Sequence, residues 1–154
     1  MSRFDSYLQP VMERAEAEAR QDSSTTIDAH HVLLAMAAEY GSDAQRMLAA
    51  AGLGYEPLKK ALRQEFAHSL AAAGVSLDDY DLPPATQDPS QRLRLGASFK
   101  LAMERLMTTY RKKDLRSGHL LLSLLKAEAG TIPRALALAG VDRGALIEQV
   151  RSEL

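Results

Sequence analysis

No cysteine occurs among the 154 residues, which excludes disulfides, thiolate nucleophiles and Cys-ligated zinc and suits a reducing cytoplasm. Tryptophan is also absent and aromatic residues make up only 5% of the chain, so it is poor in the stacking platforms that single-stranded nucleic acid needs. Neither sign of charge is in excess. The 19 basic and 20 acidic residues leave a net charge of -1, and no overall field draws the chain to nucleic acid or to an anionic membrane. No stretch approaches the ~20 apolar residues of a membrane span, and the N-terminal twenty residues carry charges throughout, without the apolar core of a signal peptide. The phosphate-cradling G-x-x-x-x-G-K-[ST] loop, the G-x-S-x-G nucleophile elbow and the H-E-x-x-H zinc helix are all missing. ATP hydrolysis, serine catalysis and helix-borne zinc chemistry therefore have no motif, and no cofactor is expected.

What is present is apolar and helix-forming. Hydrophobic residues are 46% of the chain, enough for one ordinary domain with a real core. Alanine and leucine dominate them, which favours closely packed helices and an all-α fold.

The sequence is also internally repeated. HHVLLAM (His30 to Met36) aligns with GHLLLSL (Gly118 to Leu124), and the same offset of 88 residues continues without a gap. It places Ile27 on Leu115, His31 on His119, Leu33 on Leu121, Leu34 on Leu122, Arg46 on Arg134, Leu48 on Leu136, Gly52 on Gly140, Leu58 on Leu146 and Leu62 on Val150. Upstream it sets Leu8, Val11, Ala15 and Ala19 on Gly96, Phe99, Met103 and Met107, one helical stripe written twice.

Each copy reads as four helices. In the first, helices are expected over about Arg3 to Arg20, Asp28 to Glu39 (almost wholly apolar, hence buried), Asp43 to Ala51 with Ser42 before it and Gly52 after it, and from about Pro57 onward. In the second, Asp88, Ser117 and Asp142 are expected caps, and Gly140 a helix stop. The spacing divides the single domain 1–154 into repeat one at about 3–71, an Asp- and Pro-rich linker at about 74–90, and repeat two at about 91–154. The fold class is an all-α, pseudo-twofold bundle of about eight helices, expected as a monomer.

This pattern, an initial F…A…A helix, then I-x-x-x-H-L-L-L-x-L, then a helix closing on L-G, resembles the Clp N-terminal (Clp repeat) domain that fronts Clp ATPases. It is carried by Phe4, Ala15, Ala19, Ile27, His31, Leu33, Leu34, Leu48 and Gly52, and again by Leu115, His119, Leu121, Leu122, Leu136 and Gly140. The resemblance extends over nearly the whole chain. It implies a non-enzymatic, cytoplasmic module, standing alone without AAA+ modules, that docks peptides, adaptors, client proteins or components of the Clp machine and modulates Clp-dependent proteolysis. The alternative it implies is sequestration of cyclic-peptide antibiotics or toxins aimed at the full-length ATPase. Neither nucleic acid nor membrane is an expected partner.

The resemblance also implies where ligands would sit. Phosphoarginine-binding members carry an acid just before the motif histidine in both copies. Here His30 and Gly118 stand there, and neither supplies a carboxylate to pair with a guanidinium. A threonine of the family's first helix corresponds to Asp5, which repels phosphate. Phosphoarginine binding is therefore expected to be lost. Candidate peptide or ligand contacts are Met1, Phe4, Asp5, Val11, Glu13 and His30 in the first copy with Leu93, Leu95 and Phe99 in the second; the plain alternative for Phe4, Val11 and Phe99 is core packing.

The residues His31, His119, Gly52 and Gly140 are expected to be structural, the histidines packed and bonded to nearby backbone. His30 and His31 are expected to point to different faces, with no metal between them. Asp78, Asp79 and Asp81 beside Tyr80 are read as solubilising linker charges. The basic cluster Arg111, Lys112, Lys113 and Arg116, with Tyr110 and upstream Arg92 and Arg94, is the best case for an anion or nucleic-acid site, but a solvated helix end is the preferred reading.

Overall fold

A computed structural model describes residues 2–74 and 92–154. Its helices are α1 (Arg3–Gln21), α2 (Ala29–Ala38), α3 (Asp43–Ala50), α4 (Tyr55–Ala72), α5 (Ala97–Thr109), α6 (Ser117–Leu125), α7 (Thr131–Leu138) and α8 (Arg143–Ser152). The all-α, eight-helix expectation holds. Among the described residues no helix is long and apolar enough to cross a membrane. The expected linker beyond Gly74, the Asp88 cap and the Asp78–Asp81 cluster lie outside the described residues, as does Met1.

The two near-continuous apolar runs are the centre of the bundle. Nine of the ten residues of α2 are buried, as are eight of the nine in α6, so neither helix has a solvent face to keep polar. Each fully buried leucine among them contributes about 2 kcal/mol of transfer free energy, and Leu33, Leu120, Leu121, Leu122, Leu124 and Leu125 are all of that kind. The remaining helices wrap this pair and are amphipathic: α1 turns Phe4, Val11, Ala15 and Ala19 inward, and α4 turns Leu58, Ala61 and Leu62 inward.

The repeat recurs in the helix ends. Gly52 and Gly140 close α3 and α7 at φ 77° and 73°, a left-handed conformation that costs glycine nothing. Beyond each, the next amide reaches back to the helix: Leu53 N–H to Leu48 C=O at 2.8 Å and Val141 N–H to Leu136 C=O at 2.9 Å, the same Schellman closure twice. Ser42 and Asp142 cap α3 and α8 as expected, accepting from Gln45 N–H and Ala145 N–H at 3.1 Å each. Ser117 does not cap its own helix. It is the first residue of α6, and its hydroxyl accepts from Ala44 N–H of α3 at 3.1 Å.

Two features depart from the sequence reading. A short parallel pairing joins the copies, β1 (Thr26–Ile27) against β2 (Arg94–Leu95). The β-branched run Thr25-Thr26-Ile27 is its local signal, but its partner is far away in sequence. Because β2 occupies the stretch that corresponds to the first turn of α1, α5 starts only at Ala97 and Gly96 becomes its N-cap. The Leu8–Gly96 match therefore falls outside a helix. The buried stripe of α5 is Phe99, Ala102 and Leu106, while Met103 is half-buried and Met107 exposed.

The copies are tied by specific polar contacts as well as by the core. Ala29 N–H, at the start of α2, donates to Ser98 Oγ of α5 at 2.9 Å. Buried Glu65 of α4 accepts from Arg134 Nε of α7 at 2.9 Å and from Ser69 Oγ at 2.6 Å. Within the first copy, buried Glu18 of α1 takes a short hydrogen bond from the Tyr55 hydroxyl and pairs with Lys59 Nζ at 3.4 Å. Buried carboxylates remain charged only when partnered in this way.

Candidate functional site: two clefts related by the repeat

The two copies place a cleft at equivalent points. Each lies at the start of a central buried helix, against the first helix of the other copy, and under the loop that follows the other copy's buried helix. The α2–α5 cleft, about 340 Å³, is built by Asp28, Ala29 and His30 at the start of α2, by Ser98, Leu101 and Arg105 on α5, and by the loop between α6 and α7. The α1–α6 cleft, about 680 Å³, is built by Arg3, Phe4 and Tyr7 on α1, by Gly41 to Asp43 between α2 and α3, and by Lys113 to Ser117 with His119 at the start of α6.

The motif histidine near the start of each buried helix is held in the same way, and of the two only His119 lines its cleft. His31 Nδ1 accepts from Asp28 N–H at 3.0 Å, and His119 Nδ1 accepts from Arg116 N–H at 3.1 Å. Both rings thus satisfy the amide just ahead of their own helix, one of the donors that a helix start leaves free. With Nδ1 accepting, the proton of His31 is on Nε2, which donates to Asp22 Oδ2 at 2.9 Å. That bond holds the Asp22 carboxyl below its ordinary range. His119 instead stacks on Tyr110, ring centroids 4.4 Å apart, and its burial lowers its pKa.

His30 does not point away from His31. Their ring centroids are 4.1 Å apart, and Asp22, His30 and His31 bring one potential ligand atom each within 4.8 Å of one another. The Asp28 amide draws the His31 ring back over the helix start, where it meets its neighbour. The trio is still a poor metal site, because a metal on His31 Nε2 would move the proton to Nδ1 and set it against the Asp28 N–H. Burial lowers the His30 pKa to about 4, so the imidazole is neutral at physiological pH.

The position that precedes the histidine is a glycine in the second copy and lies close under two flexible side-chain ends. A Cβ on Gly118 would lie 2.7 Å from Leu154 Cδ2 and 3.2 Å from Met47 Cε. The space that a longer side chain would need is taken by the last residue of the chain and by α3. Neither copy therefore presents a carboxylate at this point: one has a neutral imidazole and the other has no side chain.

The proposed contact residues divide on inspection. Val11 and Phe99 are core side chains, 0% and 2% exposed, and this corrects their reading as surface contacts: their inward phase on α1 and α5 is set by the same stripe that builds the bundle. Phe4, 5% exposed, is likewise buried but its edge floors the α1–α6 cleft. Asp5 is a capping residue: its carboxylate accepts from Ser2 N–H at 3.2 Å while Ser2 Oγ accepts from Asp5 N–H at 3.1 Å, and these bonds lower its pKa. Glu13 is exposed on α1, Leu93 is half-buried against the core and Leu95 lies exposed in β2. None of these three lines either cleft. Of the candidates, Phe4 and His30 are cleft residues.

Sequence reasoning missed Arg3, Tyr7, Ser98, Leu101 and Arg105 as cleft residues. It weighed Lys113 and Arg116 as part of an anion site and preferred a helix end; they do flank one, between α5 and α6, and they also line the α1–α6 cleft. Applying the 88-residue offset to loops as well as helices was the available signal, since it sets 39–44 on 127–132, the loops that cover the two clefts.

Residues 3–105 match the family model described as the Clp repeat (R) N-terminal domain. The match spans α1 to α4 and runs into α5, and the helices beyond it are joined to the pattern by the internal repeat. No curated protein matches the sequence.

Proposed function

We propose that this chain, which belongs to the Clp repeat N-terminal domain family, docks peptide segments of adaptors, clients or Clp components and thereby modulates Clp-dependent proteolysis. The family is one of non-catalytic, Clp-related docking domains. The observation that carries the reading is the twofold-related pair of open clefts, each walled by both copies. Concave surfaces lined by apolar groups with a few polar ones are where ligands are held. The cytoplasm, where Clp machines work, is the compartment this function requires.

Competition tests the proposal. Added to a Clp ATPase–protease that degrades an adaptor-delivered substrate, the chain slows degradation, and immobilised chain retains a Clp component or adaptor from extract. Unchanged degradation together with repeated failure to retain any such protein overturns it.

Phosphoarginine is not the ligand in this reading. A neutral His30 and a side-chain-free Gly118 leave the guanidinium without an anionic partner in both clefts. Calorimetric titration with free phosphoarginine is expected to give no binding in the micromolar range; micromolar affinity at two sites contradicts it. Cyclic-peptide sequestration draws less support, because Val11 and Phe99, two of the contacts it would use, are enclosed in the core.

A further inference from the structure

We infer that the α1–α6 cleft receives an acidic side chain of the docked peptide, whereas the α2–α5 cleft does not; this rests on the docking reading above. Three cations, Arg3, Lys113 and Arg116, line the α1–α6 cleft, and none of them forms an ion pair among the described residues. Of the two acids beside them, Asp43 shares Arg46 with Glu153, at 3.7 and 3.0 Å, and with Asp114 it leaves the lining one positive charge in excess. The α3 and α6 helices also begin here, and helix starts add partial positive charge.

The cleft holds a second sign of an absent acceptor. The Tyr7 hydroxyl is shielded from solvent and has no hydrogen-bond partner among the described residues. The neighbouring Ser42 hydroxyl already donates to Glu39 C=O at 2.8 Å and accepts from Gln45 N–H at 3.1 Å. Burial raises the Tyr7 pKa far above its ordinary value, so the phenol remains a donor. A buried donor without an acceptor is rare in a native fold and calls for a reason. A carboxylate bound in the cleft is held by the Arg3, Lys113 and Arg116 that line it, and reaching the solvent-shielded Tyr7 hydroxyl requires the cleft wall to shift.

The other cleft lacks all of this. Its one arginine, Arg105, donates to Ser123 C=O at 3.3 Å, and its rim carries Asp28 and Glu128 with a neutral His30. Size argues for a peptide segment over a free anion, since about 680 Å³ exceeds several-fold the volume of a single carboxylate or phosphate. A polynucleotide is disfavoured by the net charge of -1.

The test is selection from a phage-displayed random peptide library on the immobilised chain. Enriched sequences are expected to share Asp or Glu at one fixed position, and replacing that residue by Gln or Asn is expected to weaken binding about tenfold in fluorescence anisotropy. The exposed pair K113E/R116E is expected to reverse the preference to Lys or Arg; should that variant fail to fold, R116Q is expected to abolish most of the acid preference. Enrichment without any acidic position overturns this inference and leaves docking standing. No enrichment over bare support overturns docking as well, and displacement of an enriched peptide by a single-stranded oligonucleotide at equal concentration overturns the peptide assignment.

Discussion

In the first copy His31 reaches back to the Asp28 amide at 3.0 Å, and in the second His119 reaches back to the Arg116 amide at 3.1 Å. One residue earlier the copies part: His30 has a half-buried, neutral ring, while at Gly118 a Cβ would meet the side chains of Leu154 and Met47. The clefts in front of them part in the same way, one small and largely apolar, the other twice as large and cationic. The comparison teaches that a duplicated scaffold constrains what holds each helix start in place and leaves free what faces the cleft. Helix-start amides must be satisfied in both copies. A cleft wall answers only to its ligand.

The scaffold half of the comparison breaks most sharply at the histidines. His31→Ala removes a side chain that is 1% exposed and orphans the Asp28 amide, and is expected to cost about 3 to 4 kcal/mol. His119→Ala, at a site 7% exposed with one hydrogen bond and a tyrosine stack, is expected to cost about 2 kcal/mol. Urea denaturation of the two variants measures the difference. Costs below about 0.5 kcal/mol for both would show that neither histidine is structural.

Acid breaks the copies apart next. Because the folded chain holds His30 at about 4 and the unfolded chain at its ordinary 6.5, the unfolded state binds a proton that the native state refuses. Stability is therefore complete above pH 6.5 and falls by about 3 kcal/mol as the pH drops toward 4. His31, Asp28, Asp22 and Glu65 are the charged or titratable groups acting on His30, and His119, whose pKa is also lowered, adds a smaller slope in the same window. His30→Gln is expected to remove most of the slope in denaturation curves taken across this range. Unchanged slope in that variant would mean that burial does not hold the ring neutral.

The sequence carried most of this scaffold and little of the clefts, for reasons visible in single residues. Helix ends are local: Ser42, Gly52, Gly140 and Asp142 each act on amides or carbonyls within a few positions, so residue type and order sufficed. The buried α2 and α6 announced themselves as unbroken apolar runs. Ser98 and Ser117 act on Ala29 and Ala44, about 70 positions away, and no local rule pairs them. The first turn of α5 was misread because the repeat was extended past the point where β2 replaces helix. Phe4, Val11 and Phe99 became candidate contacts through the resemblance, with core packing as the alternative; helical phase turns Val11 and Phe99 into the core, while buried Phe4 still lines the α1–α6 cleft.

Equivalence of the helix stops can be sharpened at the glycines. Gly52→Ala and Gly140→Ala each force a Cβ into a left-handed backbone while meeting no neighbour within 4 Å. Each is expected to cost about 1 kcal/mol, and the two costs to agree within about 0.5 kcal/mol. A larger gap would show that one closure has come under a constraint that the other escapes.

The smallest effect separates scaffold from site within a single side chain. Tyr7 packs against the core, so Tyr7→Phe keeps the ring and removes only the hydroxyl that has no partner. If that hydroxyl served stability, its loss would destabilise; because it has no acceptor among the described residues, its removal is expected to raise stability by about 1 kcal/mol. Where the cleft wall shifts to let a carboxylate reach that hydroxyl, the same change is expected to weaken an acidic peptide several-fold. Opposite signs in thermal unfolding and in peptide anisotropy are the signature of a residue kept for its ligand. No Tyr lines the α2–α5 cleft, so the trade between stability and binding belongs to one copy alone.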